Sequence, residues 1–374
     1  MNPQVELNSR HNDEMLLFTL SGVNVSLANA IRRTILSDIP LVVFRTSPYE
    51  QNKANIMTNT SRLNNEILKQ RLSCIPIHIK DIEGFPLKNY QLEVNVENIT
   101  DTTMYVTTKD FIINDLVTGK PISEARNREI FPADDYTGYF IDFVRLRPKI
   151  SDELPGEKIH LTCELSIGTA KEDGMFNSVS TCSYGFTVDS VAQEALLEKH
   201  KQTWKDEGKK AEEVEFEATN WKLLDGMRIT KKDSFDFIIQ TIGIYDNVEL
   251  IHNACEILID KLQYQDSLIE KDELSIEKSQ NTMSNSYDII LENEDYTIGK
   301  VLEYFMYTKY YETKILTYCG FKKMHPHDSQ SIIRIAYNDA IDISTIKGNL
   351  KECIDEAIQV FSKVKKEFLK LVKN

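Results

Sequence analysis

Apolar positions along the chain include two sets that share one spacing and lie more than half the sequence apart. Near the start, Leu27, Ala30, Ile31, Thr34 and Ile35 follow Ser26 at i, i+3, i+4, i+7 and i+8, the rhythm of a helix with one buried face. Near the end, Ile298, Val301, Leu302, Phe305 and Met306 follow Thr297 in the same rhythm. A hydroxyl residue directly before such a set predicts an N-cap, so Ser26 and Thr297 are expected to start the two helices. Apolar runs flank both, Met15 to Leu20 and Leu41 to Phe44 around the first, Tyr287 to Leu291 and Ile315 to Phe321 around the second. Each copy reads as strand, helix, strand, and one unit carried twice implies pseudo-symmetry.

Between the copies the rhythm changes. Ser61 is expected to open a helix carrying Leu63, Ile67 and Leu68, and Arg71 to Ile79 to lead into a strand. From Leu87 to Phe186 the texture is alternating, as in Tyr90 to Val96 and Lys158 to Leu165, with Gly and Pro between, which predicts an inserted, mainly β domain. Ala192 to Glu213 is rich in Lys and Glu and reads as a solvated helix and charged loop. A strand at Phe235 to Ile242 precedes a helix with Val248, Ile251, Ala254, Cys255, Leu258, Ile259 and Leu262 on one face. Gln263 to Ser286 is polar without a sustained period and reads as a linker.

The chain closes on Ile346, Leu350, Cys353, Ile354, Ala357, Ile358, Phe361, Val364, Phe368, Leu371 and Val372, near heptad spacing over about 26 residues or about 40 Å of helix. So long a stripe requires a partner. The Val248 to Leu262 helix closes the first half in the same position and is the expected one.

Composition narrows the function classes. With 58 acidic against 44 basic residues the 374-residue chain carries a formal charge of -14, which repels a phosphate backbone and argues against nucleic-acid binding by the chain as a whole. Six cysteines without a C-x-x-C pair predict reduced thiols. A polar start, and no apolar run near the ~20 residues of a membrane span, predict a soluble intracellular protein without a signal peptide.

Catalytic signatures are scarce. There is no P-loop, G-x-S-x-G elbow, H-E-x-x-H or Asp-x-Asp-x-Asp cluster, and the Gly168 to Gly174 loop lacks the Lys-Ser/Thr arrangement that cradles phosphate. His325-Pro326-His327-Asp328 is the best metal candidate, two imidazoles and a carboxylate on a short stretch, although no further ligand lies nearby in sequence and Pro326 before the Ser331 to Tyr337 strand favours a plain turn. It defines the alternative of a stand-alone metal-dependent hydrolase using His325, His327 and Asp328. Arg32 and Arg33 lie on the outer side of their helix, where they either face solvent or fork onto carboxylates or carbonyls of a partner.

Five blocks, in order, resemble one family. Ser26 to Pro40 (Ser-Leu-Ala-Asn-Ala-Ile-Arg-Arg-Thr-Ile-Leu-Ser-Asp-Ile-Pro) is similar to the signature of the alpha-like subunits of multisubunit DNA-directed RNA polymerases, which include bacterial alpha, the archaeal D subunit and the third-largest subunit of eukaryotic polymerase II. Asn59 to Glu66 with Arg71 to Ile77, and Ser166 to Asp173, resemble further blocks of that family. Glu294 to Leu302, and Cys319 to His327 with Ile332 to Ile335, resemble the small partner, the archaeal L subunit.

The resemblance implies an α+β fold in which two dimerisation modules, fused in one chain, pack as a pseudo-two-fold heterodimer. Residues 1–86 and 187–262 would form the first, discontinuous module, 87–186 the inserted domain, 263–286 the linker and 287–374 the second module. It implies a non-catalytic assembly platform on which two large catalytic polymerase subunits dock beside small zinc-binding subunits, with DNA met only through the complex, and with neither membrane binding nor homo-oligomer. An adaptor module outside transcription is the other alternative. Fusions of this kind resemble those of large DNA viruses, which implies a nucleus, a cytoplasmic factory or a virion.

No cofactor is expected in this chain, magnesium and zinc belonging to the partners. Some family members hold a four-cysteine zinc or iron-sulfur site in the inserted domain, where this chain has only Cys163 and Cys182. The implied interface residues are Asn29, Arg32, Arg33, Glu66, Arg71, Lys171, Val301, Leu302, Phe305, Ile354 and Phe361. Gly299 and Lys300 are read as standing in the second copy where the first has its arginine pair, which makes Arg32 and Arg33 the residues expected to grip a catalytic subunit.

Overall fold

A computed structural model describes the chain apart from residues 12–14, 152, 154, 281, 373 and 374. The side chains of Leu371 and Val372, part of the expected terminal stripe, also lie outside the described residues. The chain divides into two compact units, one of Met1–Ile35, Thr181–Gln240 and Asn247–Asn374, the other of Leu36–Ser180 and Thr241–Asp246. Elements are numbered in chain order.

The first unit opens with β1 (Gln4–His11) and β2 (Met15–Ser21), an antiparallel pair, and helix α1 (Val25–Ser37). Strict alternation along β2 buries Leu16, Phe18 and Leu20.

The second unit holds β3 (Leu41–Phe44), β4 (Ala54–Asn59), α2 (Asn65–Ser73), β5 (Tyr90–Glu97), β6 (Met104–Thr107), β7 (Ile112–Asp115), β8 (Lys120–Pro121), α3 (Glu124–Ile130), β9 (Asp142–Leu146) and β10 (Lys158–Gly168). Strand β10 organises it. One edge pairs with β5 along residues 158–164, and the other with β4 and then, from Leu165 to Gly168, with β3. Leu161, Cys163 and Leu165 point into a core whose centre is a run of rings, Phe44, Phe131, Phe111 and Phe143, with centroids 5.4 to 6.3 Å apart. This unit therefore begins at Leu36, well before the change of texture at residue 87, because β3 and β4 are hydrogen-bonded to β10.

Two local expectations change here. Ser61 does not start α2: its hydroxyl donates to Asn59 Oδ1 at 2.7 Å, and Asn64 is the cap, accepting from the Ile67 amide at 2.9 Å. Residues 75–79 bury Ile75, Ile77 and Ile79 alternately yet carry no strand: the Ile75 amide turns back onto the Leu72 carbonyl of α2, and the His78 amide donates to the Ile130 carbonyl of α3. Alternation records which side chains are buried, and a ladder additionally needs a neighbouring strand.

The chain returns to the first unit with β11 (Val179–Val188), α4 (Ser190–Asp206), α5 (Ala211–Leu223), β12 (Thr230–Thr241) and α6 (Asn247–Glu270), then β13 (Ile276–Lys278), β14 (Ser286–Glu292), α7 (Tyr296–Met306), β15 (Leu316–Lys322), β16 (Gln330–Tyr337) and α8 (Ile343–Val372). Its two four-stranded sheets run β1-β2-β12-β11 and β13-β14-β16-β15. In both, the strand that enters the first helix pairs antiparallel with the strand that enters the last one, β2 with β12 and β14 with β16. The expected solvated loop near residue 207 is a tight connection between two helices, α4 and α5.

Helix α8 lies along α6. Its residues Ile346, Leu350, Cys353, Ile354, Ala357, Phe361, Val364 and Phe368 are all buried, and Phe368 meets Phe18 edge-on at 4.9 Å while Phe18 stacks on Phe237 at 5.0 Å. The polar stretch from Gln263 does not behave as a linker. Helix α6 continues to Glu270 because Lys351 of α8 reaches Asp266 at 3.3 Å and Glu270 at 2.6 Å, and β13 is laddered to β14, which leaves only residues 271–275 between them. A helix partnered by charges shows no apolar period, so composition hid it.

Candidate functional site

The two repeats meet through the helix that each begins with a strand. Neither hydroxyl residue caps its helix. Asn24 Oδ1 accepts from the Ser26 amide at 2.9 Å, and Asp295 Oδ1 accepts from the Thr297 amide at 2.8 Å, so in both copies the acceptor lies two residues ahead of the expected one. A short Asn or Asp side chain reaches a first-turn N–H without a bend in the chain.

Aligned on these caps, with Ser26 beside Thr297, the positions matching Arg32 and Arg33 are Glu303 and Tyr304. Gly299 and Lys300 correspond instead to Ala28 and Asn29, which corrects the expected substitution of the arginine pair. Gly299 answers a different need, because a Cβ there would lie inside the Phe321 ring of β15, so helix and strand approach to a distance only glycine permits. Glu303 accepts from the Phe321 amide at 3.1 Å and pairs with Lys300 at 2.5 Å.

Arg33 does not face outward. Its Nε donates to Thr297 Oγ1 at 2.9 Å and its Nη2 to Asp295 Oδ2 at 2.8 Å, so the first repeat grips the cap of the second. Asp295 thus serves two partners, one oxygen for the helix start and one for the guanidinium. The pair is partly exposed, 36% and 26% for the two side chains, which keeps its direct worth to about 1 kcal/mol or less. Its value is geometric, since a forked donor fixes orientation. Arg32, one residue and about 100° further round the helix, parts from it. Its Nε donates to Asn29 Oδ1 at 2.9 Å, and its charge stands near Cys182 and Tyr184 of β11, whose acidities burial lowers and Arg32 partly restores.

Among the other expected interface residues, Val301, Leu302, Phe305, Ile354 and Phe361 are buried in the first unit. Glu66, Arg71 and Lys171 lie in the second. Arg71 clamps β9 through the Phe143 and Asp142 carbonyls, both at 2.7 Å. Glu66 is exposed and pairs with Lys69, and Lys171 is exposed while its amide donates to the Ser37 carbonyl at 2.8 Å.

Sequence reading missed Arg45, which pairs with Glu172 at 2.5 Å, donates to the Ile167 carbonyl and covers the Phe176 ring, fixing the loop after β10. It also missed Lys309, bonded to Glu352 and Glu356 and so tying the α7 end to α8. Both depend on partners far away in sequence, which no local pattern signals.

His325 and His327 are exposed, and their rings stand 5.2 Å apart. His325 Nδ1 is occupied by the His327 amide at 3.2 Å, and among the described residues no group of three His, Cys, Asp or Glu is placed to hold a metal ion. Burial pushes the thiols of Cys163 and Cys182 up to about 12. Among the described residues no helix is long and apolar enough to cross a membrane. The arrangement brings the start of the second repeat's helix onto the first repeat's arginine, an interface within the chain.

The family model described as the RNA polymerase Rpb3/Rpb11 dimerisation domain matches residues 17–262. The chain is 27% identical over 284 residues to the DNA-directed RNA polymerases I and III subunit rpac1 of Dictyostelium discoideum, covering 68% of this chain and 79% of that protein. It is 22% identical over 311 residues to the DNA-directed RNA polymerases IV and V subunit 3B of Arabidopsis thaliana, covering 70% and 91%. With the DNA-directed RNA polymerase subunit Rpo3 of Picrophilus torridus it shares 27% identity over 184 residues, 46% of this chain and 60% of that one.

Proposed function

The chain belongs to the RNA polymerase Rpb3/Rpb11 dimerisation family, and from that premise we propose that it is the assembly platform of a DNA-directed RNA polymerase, an intracellular transcription subunit without a catalytic group of its own. Two alpha-like modules are fused in it and pack about a pseudo-two-fold axis, with residues 36–180 inserted between α1 and β11 of the first. The observation that carries this reading is the Arg33 fork on Asp295 and Thr297, supported by the identical strand order of the two sheets and by α8 lying along α6. Such contacts are those of two subunits of a dimer, made here inside one polypeptide.

The platform would receive two large catalytic subunits and small zinc-binding subunits, which bring the magnesium and zinc and meet the DNA. Arg32, half-buried beside Asn29, and the exposed Glu66 and Lys171 are the polar groups proposed to contact them. A fusion of this kind fits a polymerase encoded by a large DNA virus.

Co-expression with the two large subunits of the same source, followed by native mass spectrometry, tests the role. A stable complex containing one copy of this chain is expected, and a chain that never associates with them overturns it. The fusion has a separate test. Cutting at an engineered protease site within residues 271–273, between α6 and β13, should leave the two fragments associated at micromolar concentration, because the interface and not the tether holds them. Fragments that separate on gel filtration would count against two packed modules.

A further inference from the structure

Strands β11 and β12 are antiparallel neighbours, a pair that a two-residue turn can join. Here the chain between them forms α4 and α5, and the feet of this excursion are held together by the Asp189 amide on the Ile229 carbonyl at 2.9 Å. The hairpin packs mainly on itself. Gln193, Leu197, Val214 and Ala218 are buried between its helices, His200 lies against Trp204 and Trp221, and Gly208 turns the chain at a φ of 85°.

Ordering an arm of this length costs about 1–2 kcal/mol per residue in backbone entropy, and so thin a core returns little of it. The outer face is where the sequence is unusual. Phe216 is 67% exposed, Leu223 and Leu224 are each 69% exposed and Met227 54%. Phe216 and Leu223 are seven residues apart and share one side of α5, and Leu224 and Met227 are exposed in the turn that follows it. Large apolar side chains exposed on one helix side, with two more in the turn behind it, mark an interaction site more often than single scattered ones do.

Charge tells what covers it. Helix α5 carries Glu212, Glu213, Glu215 and Glu217 against Lys222. Lys209 pairs with Glu217 at 3.0 Å, Lys201 lies 4.0 Å from Glu215 and Glu213 Oε2 accepts from the Lys210 amide at 2.8 Å, which sets Glu213 beside the exposed Glu212 at the acidic end of the stripe. With Phe216 and the paired Lys209 and Glu217 they line a shallow concavity of about 380 Å³.

We propose that the α4–α5 hairpin is a docking arm whose α5 face receives an amphipathic helix of a partner protein, with apolar residues on the side of Phe216 and Leu223 and Lys or Arg opposite Glu212 and Glu213. Helix-on-helix packing supplies affinity through the apolar face, and the acidic end sets orientation and partner choice. The arm is distinct from the junction of the repeats and acts in the same way whether or not the chain serves a polymerase.

The test uses the full chain and three labelled peptides of about five helical turns. One has a leucine stripe with lysines at one end, the second the same stripe with glutamates, the third the lysine composition scrambled so that no stripe forms. The first should bind saturably and at least about tenfold more tightly than the others. Phe216→Ser with Leu223→Ser should weaken it about tenfold, and Glu212→Gln with Glu213→Gln, which leaves the exposed positions helical, should erase the preference over the glutamate peptide and its salt dependence. Equal binding of the scrambled peptide, or binding unchanged by both variants, overturns the proposal. So does sedimentation showing a dimer of this chain that Phe216→Ser with Leu223→Ser dissolves, which would make a second copy the occupant.

Discussion

The two repeats share a strand and a capped helix, then part company. After α7 the chain turns into β15, the outer strand of the same sheet. After α1 it passes to β3, which belongs to the other unit, and the outer place in the first sheet is filled by β11, reached only after residues 36–180. Both sheets nevertheless finish with the same order. The difference teaches that strand order follows from which apolar faces must be covered, while the length of the connection is nearly free, since closure entropy rises only with the logarithm of loop length. The matched positions that differ, Arg32 and Arg33 against Glu303 and Tyr304, also take different partners: Arg33 reaches across to Asp295 and Thr297, and Glu303 stays within its own repeat on Lys300 and the Phe321 amide.

The comparison can be broken most severely at the shared core. Phe361→Ala removes a fully buried ring from α8 and should cost about 3–5 kcal/mol in denaturant unfolding. An unchanged midpoint would mean that α8 does not hold the first unit together. Next comes the point where the helices differ in contact with their strands. Gly299→Ala should destabilise by about 1–3 kcal/mol through the clash with Phe321, whereas Ala28→Gly at the matching position should cost only about 1 kcal/mol as a helix-propensity change.

The caps give a smaller and more diagnostic contrast. Asn24→Ala loses one cap, about 1 kcal/mol, and Asp295→Ala loses a cap together with the Arg33 fork, up to about 2 kcal/mol. A double-mutant cycle of Arg33→Ala and Asp295→Ala should show positive coupling in thermal unfolding, and zero coupling would reduce the fork to a surface contact. The smallest effect is with pH. On the outer face of the second sheet, Asp288 is held below the usual carboxylate range by hydrogen bonds from Arg334, at 2.7 and 2.6 Å, where the first sheet answers Asp236 with the hydroxyls of Thr19 and Thr187. A lowered folded pKa means stability that is full above the unfolded value near 4 and is lost as pH falls through the folded one. Asp288→Asn should therefore flatten part of the acid limb of an unfolding-versus-pH curve, and an unchanged limb would show that the Arg334 pair contributes nothing.

Much of this was legible in the residues, for identifiable reasons. Helices α1, α7 and α8 carry apolar stripes that face a dry core, so their periods report them directly. The C-terminal part of α6 is paired through Asp266 and Glu270 with Lys351 of α8, and its polar composition reads as linker. The buried alternation of residues 75–79 reads as a strand without a ladder to join. Asn24 and Asp295, not the hydroxyls behind them, start the helices, and that choice rests on backbone path, which composition does not specify.

By itself the sequence determined that one strand-and-helix unit occurs twice and which faces of its helices are apolar, because hydrophobic spacing is a local property of neighbouring residues. It also carried the family. Only the tertiary structure decided that Arg33 turns inward onto Asp295 while Arg32 stays with Asn29, that β3 leaves its repeat for β10, and that β11 takes the vacant place. Those outcomes depend on partners up to 264 residues apart, and a side chain chooses among them by distance and direction in space, which the order of residues does not encode.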